Sequence, residues 1–194
     1  MTGLKYFIVN KPYGVLSQFT DKEGRQTLGS LYPFPQGIYP VGRLDFDSEG
    51  LLLLTNDKKL THILLNEKDH EREYFAQVEG VPDAEALARI SAGVEIEKKM
   101  TLPAKCRIIP PPVPDNRIPP IRFRANIPAS WLSITLVEGR NRQVRKMTAA
   151  VGHPTLRLLR YRIVNLTIEG LKQGGVRELT DREKENFLHR IGFK

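Results

Sequence analysis

The segment from Gly42 to Leu54 constrains the fold more than any other part of the chain. It reads Gly-Arg-Leu-Asp-Phe-Asp-Ser-Glu-Gly and then continues into four consecutive leucines. An unbroken apolar run bounded by polar residues is typical of a core segment, so the preceding polar residues are expected to be fixed at the edge of a core. Asp45 lies two residues after Arg43, and a nearby guanidinium favours the ionised form of a carboxylate. Asp45 is therefore a candidate reactive acid, with an ordinary surface turn before a core strand as the alternative.

Basic residues are concentrated in the later part of the chain. The 194 residues carry a formal net charge of +8. Between residues 131 and 162 a single acid, Glu138, accompanies seven basic residues, namely Arg140, Arg142, Arg145, Lys146, Arg157, Arg160 and Arg162. This concentration of positive charge is typical of a nucleic acid-binding surface, with a solvated basic helix face as the alternative. An anionic membrane is disfavoured, because the basic stretch lacks a broad apolar face.

The composition argues against several classes of protein. No apolar run approaches the roughly 20 residues needed to span a bilayer, and residues 1–10 show no secretion signal. The single cysteine, Cys106, cannot form an internal disulfide. The four histidines lack metal-ligand spacing, and no nucleotide-binding motif is present. We therefore expect a cytoplasmic protein that needs no metal and no cofactor and does not associate with membranes.

Two motifs around Asp45 are incomplete. Asp45, Asp47 and Glu49 resemble the first half of a calcium-binding loop, but the twelfth position, which should hold a glutamate, is Asn56. Asp45 and Asp47 could also form a sugar-cleaving carboxylate pair, but the sequence around them lacks the set of aromatic platforms that a sugar-binding cleft needs. Neither a calcium site nor a glycosidase site is therefore predicted.

The periodicity predicts strands alternating with a few helices. Strands are predicted at Leu4–Val9, Tyr74–Glu79, Leu132–Val137 and Leu156–Val164, and helices at Leu60–Leu65, Asp83–Ala92, Asn141–Val151 and after a capping box at Thr180–Glu183. The third helix is expected to bury Val144, Met147 and Ala150. The proline-rich segment Pro110–Pro120 excludes regular structure, and we interpret it as a loop between two lobes, with an RNA-binding role as the alternative.

Several segments together resemble one family. They are Asn10–Gly14, Gly42–Leu52, Arg72–Tyr74 and Glu138–Met147. In this order they resemble the RNA pseudouridine synthases, in the branch that modifies ribosomal RNA and closest to the type E synthases of the large subunit. The segments Pro128–Leu132 and Pro154–Leu158 add to the similarity.

The resemblance implies a fold. It predicts an α+β catalytic fold with a bent, mixed and largely antiparallel sheet, flanking helices and a central cleft. Residues 1–194 would form a single catalytic domain of two lobes, because the catalytic pattern begins within ten residues of Met1 and leaves no separate N-terminal RNA-binding module. A monomer is expected.

The resemblance also implies roles for individual residues. Asp45 would be the nucleophile, Tyr74 would pack on the target base, and Arg145 would pair with the aspartate. Leu51 and Leu52 would line the pocket. The residues expected to contact RNA are Arg43, Arg140, Arg142, Lys146, Arg157 and Arg160.

The implied function is the isomerisation of a specific uridine to pseudouridine in ribosomal RNA, with large-subunit (23S) RNA as the expected partner. The base would first leave its stack, which costs a few kcal/mol. A catalytically silent RNA-binding or ribosome-assembly protein on the same scaffold is one alternative. An N-glycosidase that uses the same aspartate and admits water is another.

Overall fold

The computed structural model describes residues 3–66, 70–112, 117, 119–121 and 128–193. The chain divides into two compact units, Met1–His70 with Arg160–Lys194 and Glu71–Leu159. The strands are β1 (Tyr6–Lys11), β2 (Tyr39–Pro40), β3 (Glu49–Thr55), β4 (Arg72–Glu79), β5 (Glu95–Ile96), β6 (Lys99–Met100), β7 (Lys105–Ile109), β8 (Ala129–Leu136), β9 (Thr155–Ile163), β10 (Leu166–Thr167) and β11 (Val176–Glu178). The helices are α1 (Lys58–Asn66), α2 (Ala84–Ala92), α3 (Gln143–Ala150) and α4 (Asp181–Arg190).

The first unit is built around the leucine run. Strand β3 is buried at all seven positions, which confirms the prediction of a core segment. It pairs antiparallel with β1, and β1 pairs antiparallel with β11. Leu52 and Leu54 pack with Phe7 and Val9 of β1 in one hydrophobic cluster. The core under this sheet therefore fixes the chain that enters β3.

Capping side chains set the ends of two helices in the first unit. Asp57 is buried and accepts hydrogen bonds from the Leu60 amide at 3.0 Å and the Tyr6 hydroxyl at 2.7 Å. Burial and this carboxylate raise the pKa of the Tyr6 hydroxyl well above its usual range. The capping box predicted at Thr180 and Glu183 is present at the start of α4. Both helices thus begin where side chains satisfy free backbone amides.

The second unit has an antiparallel sheet in which β8 lies between β4 and β7. Helix α2 begins after Asp83, within the predicted range Asp83–Ala92, and the Asp83 side chain caps it by accepting from the Ala86 amide. It ends at Gly93, where φ is 99° and a Cβ atom would lie 2.6 Å from the Thr101 carbonyl oxygen. Only glycine fits this position without a backbone shift.

Helix α3 differs in two respects from its prediction. It begins at Gln143 rather than Asn141, because Arg142 adopts left-handed dihedrals of φ 50° and ψ 34° at the N-cap. Its buried side carries Val144 and Met147, as predicted, whereas Ala150 is exposed. The prediction that Ala150 is buried is therefore wrong. This residue is the last one of the helix.

The interpretation of the proline-rich segment Pro110–Pro120 as a loop between two lobes stays a prediction. Residues 113–116 and 118 of this segment lie outside the described residues.

Val164 occupies the two-residue turn between β9 and β10 with φ of 54°. A β-branched residue is strained in the left-handed region, which such hairpin turns fill with Asn or Gly. We expect Val164→Asn to raise the free energy of unfolding by about 1 kcal/mol. Urea unfolding of both proteins measures the difference. A destabilised variant would show that packing of the Val164 side chain outweighs the backbone strain.

Candidate active site

The turn that carries Asp45 is fixed on both sides. Asp45 is half-buried, and its carbonyl accepts a 3.1 Å hydrogen bond from the Ser48 amide. The preceding residue, Leu44, exchanges two hydrogen bonds with the Ser17 hydroxyl, which accepts from its amide at 3.1 Å and donates to its carbonyl at 2.8 Å. The Asp45 carboxylate is therefore carried by an anchored, partly exposed turn.

The residues after the turn enter the core. Leu51 and Leu52 are both fully buried in β3. The Leu51 carbonyl accepts a 2.7 Å hydrogen bond from Nε of Arg160, and Leu52 belongs to the hydrophobic cluster of the first unit. These contacts hold the start of β3 in place behind Asp45.

Lys11 is a functional candidate that the sequence reasoning missed. Its side chain is fully buried, and Nζ donates to the carbonyls of Pro12 at 2.9 Å and Val15 at 2.7 Å. The pKa of Lys11 is lowered to about 8, mainly by burial and in part by the nearby Arg160, against the opposing effect of three carboxylates, those of Glu49, Asp47 and Asp45. The ammonium group thus lies within the electrostatic reach of Asp45. The available signal was a charged lysine at the end of a strand whose first four residues are apolar.

Glu49 is the most buried of these acids. It is 1% exposed and accepts a 3.0 Å hydrogen bond from Nε2 of Gln173. Glu49 is therefore an interior residue, whereas the half-buried Asp45 stays partly accessible to solvent.

In the second unit, Tyr74 lies on β4 opposite Ile134 of β8. It shares a face of the strand with Ala76 and Val78, which are fully buried. Tyr74 itself is only half-buried and packs against the edge of this core. A phenol ring in this position presents a supported surface on which a planar base can stack.

Arg145 lies on α3 and is tied to β9. Its Nη1 donates to the Thr155 carbonyl at 3.3 Å. The hydroxyls of Thr148 and Thr155 are 2.7 Å apart and join the same two elements. These bonds restrict the guanidinium of Arg145, which is half-buried.

Glu138 and Gln143 organise the loop that leads into α3. Oε1 of Glu138 accepts from Nε2 of Gln143 and from the Leu102 amide, the latter at 2.8 Å. Oε1 of Gln143 accepts in turn from the Arg140 amide at 3.0 Å. Gln143 is 4% exposed. The sequence reasoning assigned no role to it, although its spacing from Glu138 was available.

Arg140 and Lys146 contact the hairpin of β5 and β6. The Arg140 guanidinium donates to the carbonyls of Met100 and Lys99 and forms an ion pair with Glu138 at 3.2 Å. Lys146 forms an ion pair with Glu97 at 2.6 Å and lowers the pKa of that carboxyl. The basic cluster is therefore balanced in part by an acid from elsewhere in the fold.

Two basic residues of the predicted RNA-binding set are exposed and two are buried. Arg43 and Arg142 are exposed. Arg157 and Arg160 are only 4% and 5% exposed; the Arg157 guanidinium lies 5.9 Å from the centre of the Trp131 ring, and Arg160 binds the Leu51 carbonyl. Burial disfavours a direct phosphate contact for these two residues and favours a role in the fold.

Within the described residues, no three or more His, Cys, Asp or Glu side chains are placed so that they could hold a metal ion. None of the described helices combines the length and apolarity that a membrane crossing requires.

Comparisons with known proteins identify the family. The family model described as RNA pseudouridylate synthase matches residues 5–150. The chain is 50% identical over 176 residues to "Ribosomal large subunit pseudouridine synthase E" of Vibrio parahaemolyticus, covering 90% of this chain and 74% of the relative. It is 46% identical over 168 residues to the protein of the same name in Xanthomonas axonopodis pv. citri, covering 84% and 88%.

A solved structure supports the same assignment at the level of the fold. A "Crystal structure of pseudouridylate synthase" aligns with a TM-score of 0.79 and 28% identity, covering 95% of this chain and 74% of that one. The α+β fold class and the resemblance noted in the sequence are confirmed. The chain therefore belongs to the RNA pseudouridine synthase family and is an RNA pseudouridine synthase.

Proposed function

We propose that this enzyme converts one uridine of large-subunit (23S) ribosomal RNA to pseudouridine, with Asp45 as the nucleophile and with the target base flipped out of its stack. The observation that carries the proposal is the anchored turn, on which the half-buried Asp45 carboxylate lies in the electrostatic reach of buried Lys11. The names of the relatives, which specify the ribosomal large subunit, support the choice of substrate.

The reaction exchanges one glycosidic bond for another. The bond between N1 of uracil and C1′ of ribose breaks, the base turns, and a bond forms between C5 and C1′. C5 loses its proton and N1 gains one, so the product is an isomer and no redox step occurs. In this proposal the Asp45 carboxylate attacks the sugar carbon, and C5 of the turned base later displaces it.

Holding the detached base is the second requirement. The base must turn without escaping, and an aromatic ring supports it without fixing one orientation. Tyr74, which is half-buried on a core strand, is proposed for this role. Arg145, restrained through the Thr155 carbonyl, is proposed as the basic catalytic residue. Leu51 and Leu52 are proposed to form the apolar backing of the pocket.

Phosphate contacts are proposed to offset the cost of flipping the base. Arg43 and Arg142 are the exposed members of the basic set. Arg140 and Lys146 keep side-chain exposures of 30% and 28% despite their protein partners, so they retain partial access to an RNA backbone. Each phosphate contact releases counterions and makes binding salt-dependent.

Arg142 combines exposure with a left-handed backbone, a conformation that costs about 1–2 kcal/mol for a residue other than glycine. We expect Arg142→Gly to raise the free energy of unfolding by about 1 kcal/mol and to weaken RNA binding. The slope of log affinity against log salt concentration should become shallower by about 1, because one phosphate contact is lost. Fluorescence anisotropy with an RNA fragment at several salt concentrations measures the slope. Lys22→Gly, at an exposed loop position, is the control. An unchanged slope for Arg142→Gly would show that Arg142 makes no phosphate contact.

Release of tritium from RNA labelled at uridine C5 tests the proposed function. Unmodified 23S RNA, 16S RNA and transfer RNA are each incubated with the enzyme, and the modified position is mapped by carbodiimide labelling and primer extension. We expect release from 23S RNA, with a single new modification. Release from another RNA alone would overturn the substrate class. Tight binding to 23S RNA without release from any of them would favour a silent RNA-binding protein. Loss of free uracil from the RNA would indicate an N-glycosidase.

A further inference from the structure

Phe46, the residue after Asp45, is an exposed aromatic side chain to which the reaction described above gives no role. It is 42% exposed, although it lies directly beside the candidate nucleophile. Its ring centre is 6.3 Å from that of Tyr13, and the two ring planes are inclined by 49°. Tyr13 is half-buried. The two rings form an aromatic pair with one member open to solvent at the edge of the turn.

The backbone holds this pair in a defined position. The Gly14 amide donates a 2.9 Å hydrogen bond to the Phe46 carbonyl, which joins the two turns that carry the rings. Gly14 has φ of +75°, and a Cβ atom there would lie 3.9 Å from Cζ of Phe46. The hydrogen bonds between Ser17 and Leu44 hold the same turn from the other side. The exposed ring is therefore presented by a rigid support, which reduces the entropy lost when a ligand stacks on it.

We propose that Phe46, supported by Tyr13, is a stacking subsite for an unpaired nucleobase adjacent to the target uridine in the RNA. This inference rests on the proposed function of the Asp45 site. When the target base leaves the stack, each neighbouring base exposes a face that had been covered. An aromatic side chain can cover such a face, and this kind of stacking tolerates different bases because every base has a π-face.

The surroundings of the ring favour a nucleobase over a protein partner. Protein-docking surfaces have an apolar centre depleted of charged residues. Phe46 instead lies between two acids, Asp45 and Asp47, with the exposed Arg43 three residues earlier in the same turn. A single exposed ring in a turn that also carries an exposed arginine suits one base and its phosphate, and the chain carries a net charge of +8.

Three substitutions at position 46 separate stacking from mere hydrophobicity. We expect Phe46→Ala and Phe46→Leu each to lower kcat/KM for pseudouridine formation by about 5- to 150-fold, the range for loss of one stacked base. Phe46→Trp retains a π-face and should remain within about 3-fold of wild type. Tyr39→Ala, which removes a 66% exposed tyrosine elsewhere in the first unit, is the matched control and should leave kcat/KM unchanged. Thermal unfolding of all variants shows whether each is folded.

Equal activity of Phe46→Ala and wild type would overturn the proposal. A Phe46→Leu variant as active as wild type would also overturn it, because leucine has bulk without a π-face. These outcomes differ from a failure of the proposed function, in which wild type itself forms no pseudouridine.

Removal of the partner base provides a second test. After the target has been mapped, an RNA fragment is made with an abasic site on either side of the target uridine. An abasic site at the nucleotide that stacks on Phe46 should lower kcat/KM of wild type by about 5- to 150-fold. The same abasic site should lower kcat/KM of Phe46→Ala little further, because that variant has already lost the contact. Fully additive losses at both neighbouring positions would show that Phe46 stacks on neither base.

Discussion

Asp45→Asn is expected to eliminate pseudouridine formation while leaving RNA binding within a few-fold of wild type. The amide has nearly the shape of the carboxylate but cannot attack the sugar carbon. Loss of a catalytic nucleophile commonly costs enzymes a factor of about 10⁴ or more in turnover. RNA affinity is proposed to depend instead on phosphate contacts from the basic residues, which the substitution leaves in place.

The measurement is single-turnover tritium release from 23S RNA, with RNA affinity determined in parallel. Asp47→Asn is the matched control, because it removes an equal charge from the same turn and also reduces the negative charge near Lys11. We expect the Asp47 variant to keep most of its turnover. If both variants lose turnover equally, the effect comes from the electrostatics of the turn. If the Asp45→Asn variant keeps substantial turnover, Asp45 is not the nucleophile.

The elements with a strong local signal were predictable from the sequence. Four consecutive leucines strongly favour burial in a core, and strand β3 is buried at every position. Asp83 and Thr180 precede apolar periodic segments as N-caps, and both cap helices in the structure. In each case, residues within a few positions of one another determine the conformation.

The two- and three-residue strands β2, β5, β6, β10 and β11 were not predicted, because segments of this length carry no periodicity. The hairpin of β5 and β6 turns through Glu97 and Lys98, both at positive φ, without the Asn or Gly that marks such turns in sequences. The acid that pairs with Lys146 lies in this turn, so its role could not be predicted either.

Charge in the sequence also did not distinguish buried from exposed basic residues. Arg157 and Arg160 belong to the same basic stretch as Arg142, yet both are buried on strand β9. Arg160 is accommodated because its Nε reaches the carbonyl of Leu51, more than a hundred residues earlier. Such a partner is set by the tertiary fold, and neither composition nor spacing identifies it.

Lys11 is expected to make the stability of the protein depend on pH above pH 8. The pKa of its ammonium is about 8 in the folded protein, against an ordinary value of 10.5. Between these values the unfolded chain binds more protons than the folded one, so the free energy of unfolding rises with pH. The penalty for burying the charge is present below pH 8 and relieved above it. At 1.36 kcal/mol per pKa unit, the rise amounts to about 3 kcal/mol.

Lys11→Met isolates this contribution. At pH 7 we expect the variant to be about 2–4 kcal/mol less stable than wild type, because the carbonyls of Pro12 and Val15 lose their donor. The difference should grow by about 3 kcal/mol between pH 8 and pH 10.5, since only wild type is relieved of a buried charge over that range. Other groups cancel in the difference, including Cys106, whose pKa burial raises to about 11.

Urea unfolding of both proteins at pH 7, 8, 9 and 10 measures the difference. Lys5→Met is the control, because Lys5 forms an exposed ion pair with Glu178 and should contribute less than about 1 kcal/mol. A difference between wild type and Lys11→Met that stays constant from pH 7 to pH 10 would show that Lys11 titrates alike in the folded and unfolded chains. In that case the carboxylates of Asp45, Asp47 and Glu49 would fully compensate for its burial, and Lys11 would stay charged near the proposed nucleophile at every working pH.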